Sequence, residues 1–148
     1  MRYLASLLLI LLPLGTPAMA EDAVSPSAKP RFLVKVTTGQ DNPTKAALAF
    51  LVARTALEEG HPVEVFLGGD AVLLLKDDVL ASLTGLGTGK LAEHYKIIVE
   101  KGGRFYLSAN SSKARALTDA DIEGKPAAFA PAAVFVRLAA AADKVLIY

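Results

Sequence analysis

The sequence predicts an α/β fold, a three-layer sandwich built on a mainly parallel central sheet. Short apolar segments rich in β-branched residues alternate with longer segments of helical character along the chain. The most regular part covers residues 32–67, where an apolar strand, a well-delimited helix and a second apolar strand follow one another. Strands joined through a helix in this way lie parallel, with a right-handed crossover.

The first strand is predicted at residues 32–36 and the second at residues 63–67. Between them, Asn42 is a favourable N-cap, and Pro43 suits the first helical position, where its missing N–H costs nothing. Gly60 suits the left-handed residue that closes a helix. The 3.6-residue period predicts an inner helix face formed by Leu48, Leu51, Val52, Thr55 and Ala56.

The remaining elements are predicted from shorter signals. Residues 71–83 are expected to form a short strand or loop and then a helical turn, and the glycine-rich residues 84–89 a loop. Thr118 is expected to cap a short helical turn. Further helices are predicted at residues 90–101, 111–117 and 131–142, and further strands at residues 104–107 and 144–148.

The N-terminus has the pattern of a secretory signal. Arg2 supplies a positive charge, residues 4–12 form an apolar run, and Ala18-Met19-Ala20 fits the small-residue rule for cleavage. The apolar run is shorter than the ~20 residues that a membrane-spanning helix needs, which favours cleavage over a retained anchor. We therefore expect export to the periplasm without stable membrane insertion. The predicted division is a signal peptide, a flexible leader and a single domain, at residues 1–20, 21–30 and 31–148.

Charge and cysteine content narrow the class of function. Removing 20 of the 148 residues leaves 128, with 15 basic and 15 acidic side chains, because Arg2 is the one charged residue removed. Such a balance argues against nucleic acid as a partner, since that binding depends on surplus positive charge. The sequence contains no cysteine, so an exported chain of this kind is stabilised by apolar burial rather than by disulfides.

Three polar loops are predicted to meet at one edge of the sheet, at residues 37–42, 68–70 and 108–113. Ligands of parallel α/β sheets bind beyond the carboxyl ends of the strands, which is this edge. The candidate ligand-binding residues are Thr38, Gly39, Asn42, Gly69, Asp70, Ser108, Asn110, Ser111, Ser112 and Lys113. No metal or other cofactor is predicted, because two distant histidines without cysteine make a poor metal site.

The serines at residues 108, 111 and 112 open a predicted helix, where free backbone N–H groups attract anions. Lys113 and Arg115 add positive charge. Two interpretations stay open at this point: a pocket for a small anion or sulfur species, and a capped helix with ordinary surface cations.

Catalysis through a serine is not supported by the sequence, and no catalytic residue is assigned. A serine nucleophile needs a base within hydrogen-bonding reach. His61 is predicted at the opposite, amino edge of the sheet, and His94 lies in the helix before Ser108. Residues 85–90 lack the spacing of a phosphate-binding loop, and they are interpreted as a mobile loop over the pocket or as a flexible connection.

Three segments resemble the DsrE/DsrF-like family: VTTGQDNP at residues 36–43, GHPVEVFLGGDAV at 60–72 and YLSANSSKAR at 106–115. The resemblance implies a flavodoxin-related sandwich that assembles as trimers or hexamers. In the family's active members, a cysteine on the loop after a late strand carries sulfur as a persulfide, whereas other members lack that cysteine and serve as partner subunits or have no known activity. Ser108 and Ser111 stand at the family's cysteine positions. The resemblance therefore implies the fold, and the absence of cysteine from the sequence excludes cysteine persulfide chemistry, because the thiolate is its nucleophile.

The sequence therefore favours an exported binding or assembly module over an enzyme, with a small anion or sulfur compound as its candidate ligand. Two alternatives stay open: a thiol-independent transferase or hydrolase using the same pocket, and a structural partner subunit of a sulfur-relay complex. The small side chains of residues 127–142 would suit close packing between copies, which agrees with the homo-oligomer, trimer or hexamer, that the resemblance implies.

Overall fold

The computed structural model describes residues 28–148, so the predicted signal segment and most of the leader lie outside the described residues. Seven strands form in this part of the chain. They are β1 Phe32–Val36, β2 Val63–Leu67, β3 Thr84–Gly85, β4 Gly89–Lys90, β5 Arg104–Ser108, β6 Ala127–Ala130 and β7 Lys144–Ile147. Five of them form one sheet in the order β6-β5-β2-β1-β7, and every pair in this sheet runs parallel. β3 and β4 form a separate antiparallel hairpin.

Six α-helices and one 3-10 helix connect these strands. The α-helices are α1 Pro43–Glu58, α2 Asp77–Ser82, α3 Leu91–Glu100, α4 Ala109–Ala114, α5 Asp119–Ile122 and α6 Ala132–Ala141, and the 3-10 helix is Gly69–Leu75. Helices pack on both sides of the sheet, which confirms the predicted α/β fold with a parallel central sheet. Because all five strands point the same way, their carboxyl ends lie at one edge.

The two sides of the sheet are covered unequally. On the larger side, Phe50 of α1 stacks on Phe105 of β5 with ring centroids 5.6 Å apart, and both side chains are fully buried. On the other side, the apolar cluster found within residues 28–148 involves α6. The ring centroid of Phe135 on this helix lies 4.8 Å from that of Phe66 on β2. No residue of α6 is buried. This side of the sheet is therefore thinly covered.

Helix α1 begins and ends where the sequence predicts, but its buried face is different. Asn42 Oδ1 accepts a hydrogen bond from the Lys45 N–H at 3.0 Å, and Gly60 follows the helix at φ +83°. Of the five predicted inner residues only Ala56 is buried. The helix packs against α3 as well as the sheet, and alanines allow this close approach on two sides. Its buried residues are Ala46, Ala47, Ala49, Phe50, Ala53, Ala56 and Leu57.

The alanine-rich C-terminal part contains a strand that the sequence analysis missed. Residues 127–130 pair with β5 as the edge strand β6, and α6 begins only after Pro131. Alanine favours helices, so the helix propensity of this segment gave no sign of a strand. Hydrogen-bonded pairing with β5 outweighs that propensity. The expected inward residues of α6 do pack against the sheet: Val134, Phe135 and Leu138.

The glycine-rich segment is a fixed hairpin rather than the predicted mobile loop over the pocket. The Leu86 N–H donates to Thr44 Oγ1 at 3.0 Å, and Thr88 Oγ1 donates to the Thr44 carbonyl oxygen at 3.3 Å. His94 Nε2 lies 2.6 Å from the Thr88 carbonyl oxygen. These contacts hold β3 and β4 on α1 and α3, and they leave Leu86 at the tip with 88% of its surface exposed.

Within residues 28–148, no helix has both the length and the apolar character needed to cross a membrane.

Candidate functional site

The loops after β1 and β2 touch at the carboxyl edge of the sheet. A Cβ atom placed on Gly39 would lie 2.8 Å from Asp70 Cβ and 2.9 Å from the Asp70 carbonyl oxygen. A side chain does not fit at this distance, so glycine is what lets the two loops meet. The Gly39 N–H also donates to Asp41 Oδ1 at 2.9 Å, which fixes the shape of the first loop. Gly39 and Asp70, both predicted site residues, are thus in direct contact.

Both serines at the predicted cysteine positions are used in structural hydrogen bonds. Ser108 is the N-cap of α4, and its Oγ accepts from the Ser111 N–H at 3.4 Å. Ser111 Oγ accepts from the Gly69 N–H at 3.0 Å, which ties α4 to the start of the 3-10 helix. Gly69 has φ +55°, a backbone conformation that glycine adopts without strain. Each hydroxyl therefore stabilises a turn of the backbone.

Arg115 joins the same group of loops through Asp70. Its Nε and one terminal nitrogen approach Asp70 Oδ1 at 2.8 and 2.7 Å, and the other terminal nitrogen donates to the Ser111 carbonyl oxygen at 3.2 Å. From the sequence alone, Arg115 is expected to offer positive charge to a ligand. In the structure that charge is neutralised by Asp70, so the rim between α4 and the 3-10 helix is closed by an ion pair.

Asn42 and Thr38 are the remaining predicted residues of the first loop, and of the two only Asn42 has a side-chain hydrogen bond among the described residues. Asn42 is exposed, and its side-chain oxygen caps α1 as described above. Thr38 is half-buried between Thr37 and Gly39. The backbone N–H and the hydroxyl of Thr37 both donate to the Tyr148 carbonyl oxygen, at 2.8 and 3.1 Å. These contacts anchor the loop to the last strand.

Ser112 and Lys113 lie on a different side of α4 from the Ser111–Gly69 contact. Together with Phe129 of β6 they line a cavity of about 410 Å³. Ser112 is 2% exposed, and its Oγ has no hydrogen-bond partner within residues 28–148. Lys113 and Asn110 are exposed. Most of the predicted site residues therefore divide into a closed cluster around Ser111 and an open cavity beside Ser112, and Thr38, Asn42 and Asn110 belong to neither.

Ala116 shapes the end of this cavity. It has φ +53°, an uncommon value for a residue with a side chain, and it follows the C-cap of α4. The Leu117 N–H donates to the Ser112 carbonyl oxygen at 3.0 Å, and the Ala116 N–H to the Lys113 carbonyl oxygen at 3.2 Å. This is the hydrogen-bond pattern of a Schellman motif, which turns the chain away from α4 and leaves room beside Phe129.

Tyr106 lies two residues before Ser108 on β5, on the thinly covered side of the sheet. Its hydroxyl donates to Glu64 Oε1 at 3.4 Å. Burial, and to a lesser extent the neighbouring Glu64 carboxylate, raise the pKa of Tyr106 above its ordinary value of 10.0. Its phenol is therefore protonated at neutral pH and acts as a hydrogen-bond donor.

Neither histidine approaches the serines within the described residues. His61 lies at the amino edge of the sheet, as predicted, and its Nδ1 is 3.0 Å from the Pro30 carbonyl oxygen. His94 is buried and bonds to the Thr88 carbonyl oxygen. Residues 28–148 also contain no group of three His, Cys, Asp or Glu residues that could hold a metal ion.

Two features of this site had no usable sequence signal. The Arg115–Asp70 pair joins residues 45 positions apart, and only the parallel order of β2 and β5 brings them together. Phe129 contributes to the cavity through β6, a strand that alanine content concealed. A stretch of four residues between Pro126 and Pro131 is short enough for an edge strand, and this spacing is the one available hint.

The geometry defines the class of protein: a parallel α/β sandwich. Its polar loops join at the carboxyl edge of the sheet, and serines open the helix that follows β5. The model of the DsrE/DsrF-like family matches residues 31–148. The chain therefore belongs to the DsrE/DsrF-like family.

Solved structures with the same fold include the YchN protein from E. coli, with a TM-score of 0.60 and 15% identity. The match covers 80% of this chain and 99% of that one. A conserved protein of unknown function, BT1422 from Bacteroides thetaiotaomicron, has a TM-score of 0.53 and 14% identity, with 79% and 94% of the two chains covered. No curated protein matches the sequence. At these identities the similarity concerns the fold.

Proposed function

We propose that this protein is an exported binding or assembly module of its family that does not carry sulfur. The observation that carries the proposal is the use of both serine hydroxyls. Ser108 Oγ caps α4, and Ser111 Oγ accepts the Gly69 N–H at 3.0 Å. At the places where the resemblance puts reactive thiols, this chain has groups that stabilise its own backbone.

The chemistry of a hydroxyl supports the same conclusion. Persulfide transfer needs a thiolate, and a serine hydroxyl is not ionised at neutral pH unless a base takes its proton. Within residues 28–148, neither histidine forms a hydrogen bond to a serine. This argues against the alternative of a serine-dependent transferase or hydrolase at this edge.

Export is part of the proposal and rests on the sequence of residues 1–20, which lie outside the described residues. Intact-mass analysis of the chain produced in a Gram-negative host tests it, because cleavage after Ala20 leaves a protein that begins at Glu21. Retention of the first 20 residues would contradict this part of the proposal.

The same measurement tests the absence of sulfur carriage. After incubation with polysulfide, the mass of the wild-type protein is expected to stay unchanged, because no residue offers a thiolate. A cysteine-containing protein treated in parallel verifies that the donor is active. A stable increase by the mass of one sulfur atom on the wild-type chain would overturn the proposal.

A small ligand is proposed for the cavity between α4 and β6. Phe129 and Leu117 provide an apolar wall, Ser112 adds a buried hydroxyl without a partner among the described residues, and Lys113 adds a positive charge at the mouth. A polar group left unsatisfied inside a protein is stabilised when a ligand supplies its hydrogen bond. The lining therefore suits a small anion, including anionic sulfur compounds such as thiosulfate.

Thiosulfate is expected to raise the melting temperature of the wild-type protein at constant ionic strength. Ligand at one hundred times its dissociation constant stabilises a protein by about 2.7 kcal/mol. Lys113→Gln is expected to reduce this increase, while Lys96→Gln, at an exposed position on α3, leaves it unchanged. An equal increase in wild type and Lys113→Gln would rule out this cavity as the binding site.

Self-association is proposed through the surface formed by α6 and β7. Val136 is 63% exposed and Ile147 is 67% exposed, and Val145 on the same strand is 42% exposed. The strand register puts Val145 and Ile147 beside Leu33 and Lys35, on the side of the sheet that α6 covers. Exposed apolar side chains concentrated on a thinly covered layer are typical of an interface with another chain.

Light scattering coupled to size-exclusion chromatography is expected to give a trimer or hexamer for the wild-type protein. The double variant Val136→Asp with Ile147→Lys is expected to shift it towards monomer, because charges are costly to bury in an apolar interface. Leu86→Asp is the matched control, since it alters an even more exposed apolar residue on the hairpin, outside this surface. A monomeric wild type would contradict self-association, and it would favour a partner subunit of a different protein.

A further inference from the structure

The amino edge of the sheet carries a second concave surface, opposite the candidate site. β1, β2 and β5 begin here, and two adjoining cavities of about 630 and 650 Å³ share Arg31, Gly60 and Pro62 in their linings. This surface is separate from the loops that meet at the carboxyl edge, because the length of the strands lies between them.

The lining of this surface is strongly basic in a chain whose charges otherwise balance. Its basic residues are Lys29, Arg31, His61, Lys101 and Arg104, and its acidic residues are Glu64 and Asp143. Two of the basic side chains already have backbone partners: Lys29 Nζ donates to the Glu59 carbonyl oxygen, and His61 Nδ1 bonds to the Pro30 carbonyl oxygen.

Three cations remain without such a partner. The side chains of Arg31, Lys101 and Arg104 are exposed, and within residues 28–148 they form neither an ion pair nor a hydrogen bond. Glu64 is the register partner of Arg104, yet the two side chains do not pair, and Glu64 accepts from the Tyr106 hydroxyl instead. The N–H donors of these three side chains are therefore available to a ligand, while Glu64 and Asp143, whose carboxylate accepts the Arg31 main-chain N–H at 2.8 Å, offset part of the positive charge.

The sheet order brings the two arginines to either side of β2. Arg31 precedes β1 and Arg104 is the first residue of β5, and these strands flank β2. Neighbouring strands lie about 4.8 Å apart, so the two backbones are separated by roughly 10 Å. Two long side chains can converge across that gap on one oxyanion, and the guanidinium fork matches a phosphate or carboxylate group.

Helix ends give the competing explanation for this charge. α1, α3 and α6 all finish at the amino edge, and helix C-termini attract cations. Lys29 and Lys101 lie at the ends of α1 and α3 and fit that role. Arg31 directly precedes β1 and Arg104 is the first residue of β5, so neither is a cap residue of a helix, although the cavity that they line also contains Leu57 of α1.

We propose that the amino edge binds a small molecule carrying a phosphate or carboxylate group, held by Arg31 and Arg104, with Lys101 adding charge at the rim. This site is independent of the cavity between α4 and β6. It gives the module two ligand-binding surfaces at opposite edges of one sheet.

The test is a titration with inorganic phosphate, and separately with acetate, followed by amide ¹H–¹⁵N NMR at constant ionic strength. Saturable shifts are expected for the amides of residues 31–33, 61, 63–64 and 101–105. In Arg31→Gln with Arg104→Gln the affinity is expected to fall about tenfold or more, since charge-assisted hydrogen bonds are lost. Lys45→Gln, an exposed lysine on α1 without an ion pair among the described residues, is the matched control.

Saturation by either anion at the amino edge supports the proposal, and the stronger of the two identifies the recognised group. Shifts confined to residues 109–118 and 129 would overturn it and would support the cavity between α4 and β6 alone. Absence of saturable shifts, or an equal loss of affinity in Lys45→Gln, would overturn it as well. The two sites are thus distinguished by the position of the shifts.

Discussion

Replacing Phe105 by alanine is expected to lower the free energy of unfolding by about 3–5 kcal/mol. Phe105 is 1% exposed on β5, next to the central strand β2, and its ring contacts two others, with centroids 5.6 Å from Phe50 and 5.3 Å from Tyr95. Removing it leaves a cavity between β5, α1 and α3 that these rigid neighbours cannot fill. A loss of this size is a large part of the stability of a domain.

Urea unfolding followed by circular dichroism measures this loss. Leu86→Ala is the control, because it also truncates an apolar side chain but at the exposed tip of the hairpin, and its effect is expected within about 0.5 kcal/mol. If Phe105→Ala cost no more than Leu86→Ala, the larger layer of the sheet would not be the main core.

Placing a thiol at position 108 through Ser108→Cys is expected to change the reaction with polysulfide from none to one sulfur per chain. The introduced thiolate would attack the terminal sulfur of a polysulfide, form one S–S bond, and release a polysulfide shorter by one sulfur atom. Electrons balance within this exchange, because the leaving polysulfide keeps the bonding pair. Ser108 is half-buried rather than enclosed, so a small polysulfide can reach it.

Intact mass before and after a reducing agent detects the gain, since reduction removes the added sulfur from Ser108→Cys. Ser82→Cys, at an exposed position on α2, is the matched control for a thiol outside the site. Modification of Ser82→Cys without modification of Ser108→Cys would mean that the loop after β5 is closed to the donor. The missing thiol would then not be the sole barrier to sulfur carriage.

The sequence predicted the strands whose signals are local. β1 and β2 occupy the predicted residues, because apolar β-branched runs bounded by Pro, Gly and polar residues have few other interpretations. The start of α1 was equally clear from Asn42 and Pro43. The buried face of α1 was not clear from the sequence, because apolar residues lie on more than one face of this helix. Which face is buried depends on α3, which belongs to a distant part of the chain and packs against α1.

The position of the candidate site was predictable from the sequence, but the hydrogen-bond partners within it were not. Parallel topology alone put the loops containing Gly39, Asp70 and Ser108 at one edge, and the structure has them there. Which polar groups satisfy each other is decided by individual hydrogen-bond distances, such as the 3.0 Å between the Gly69 N–H and Ser111 Oγ. Sequence spacing carries no such information for that pair, or for Arg115 and Asp70.

The meeting of Gly39 with Asp70 has a consequence for how this protein can change over time. Any side chain at Gly39 would collide with the main chain of Asp70, so this position can change only if the backbone of one loop moves. A second substitution at Asp70 would not relieve the collision, because the carbonyl oxygen is present in every residue type. The exposed tip of the hairpin at Leu86 has no such constraint and is free to vary.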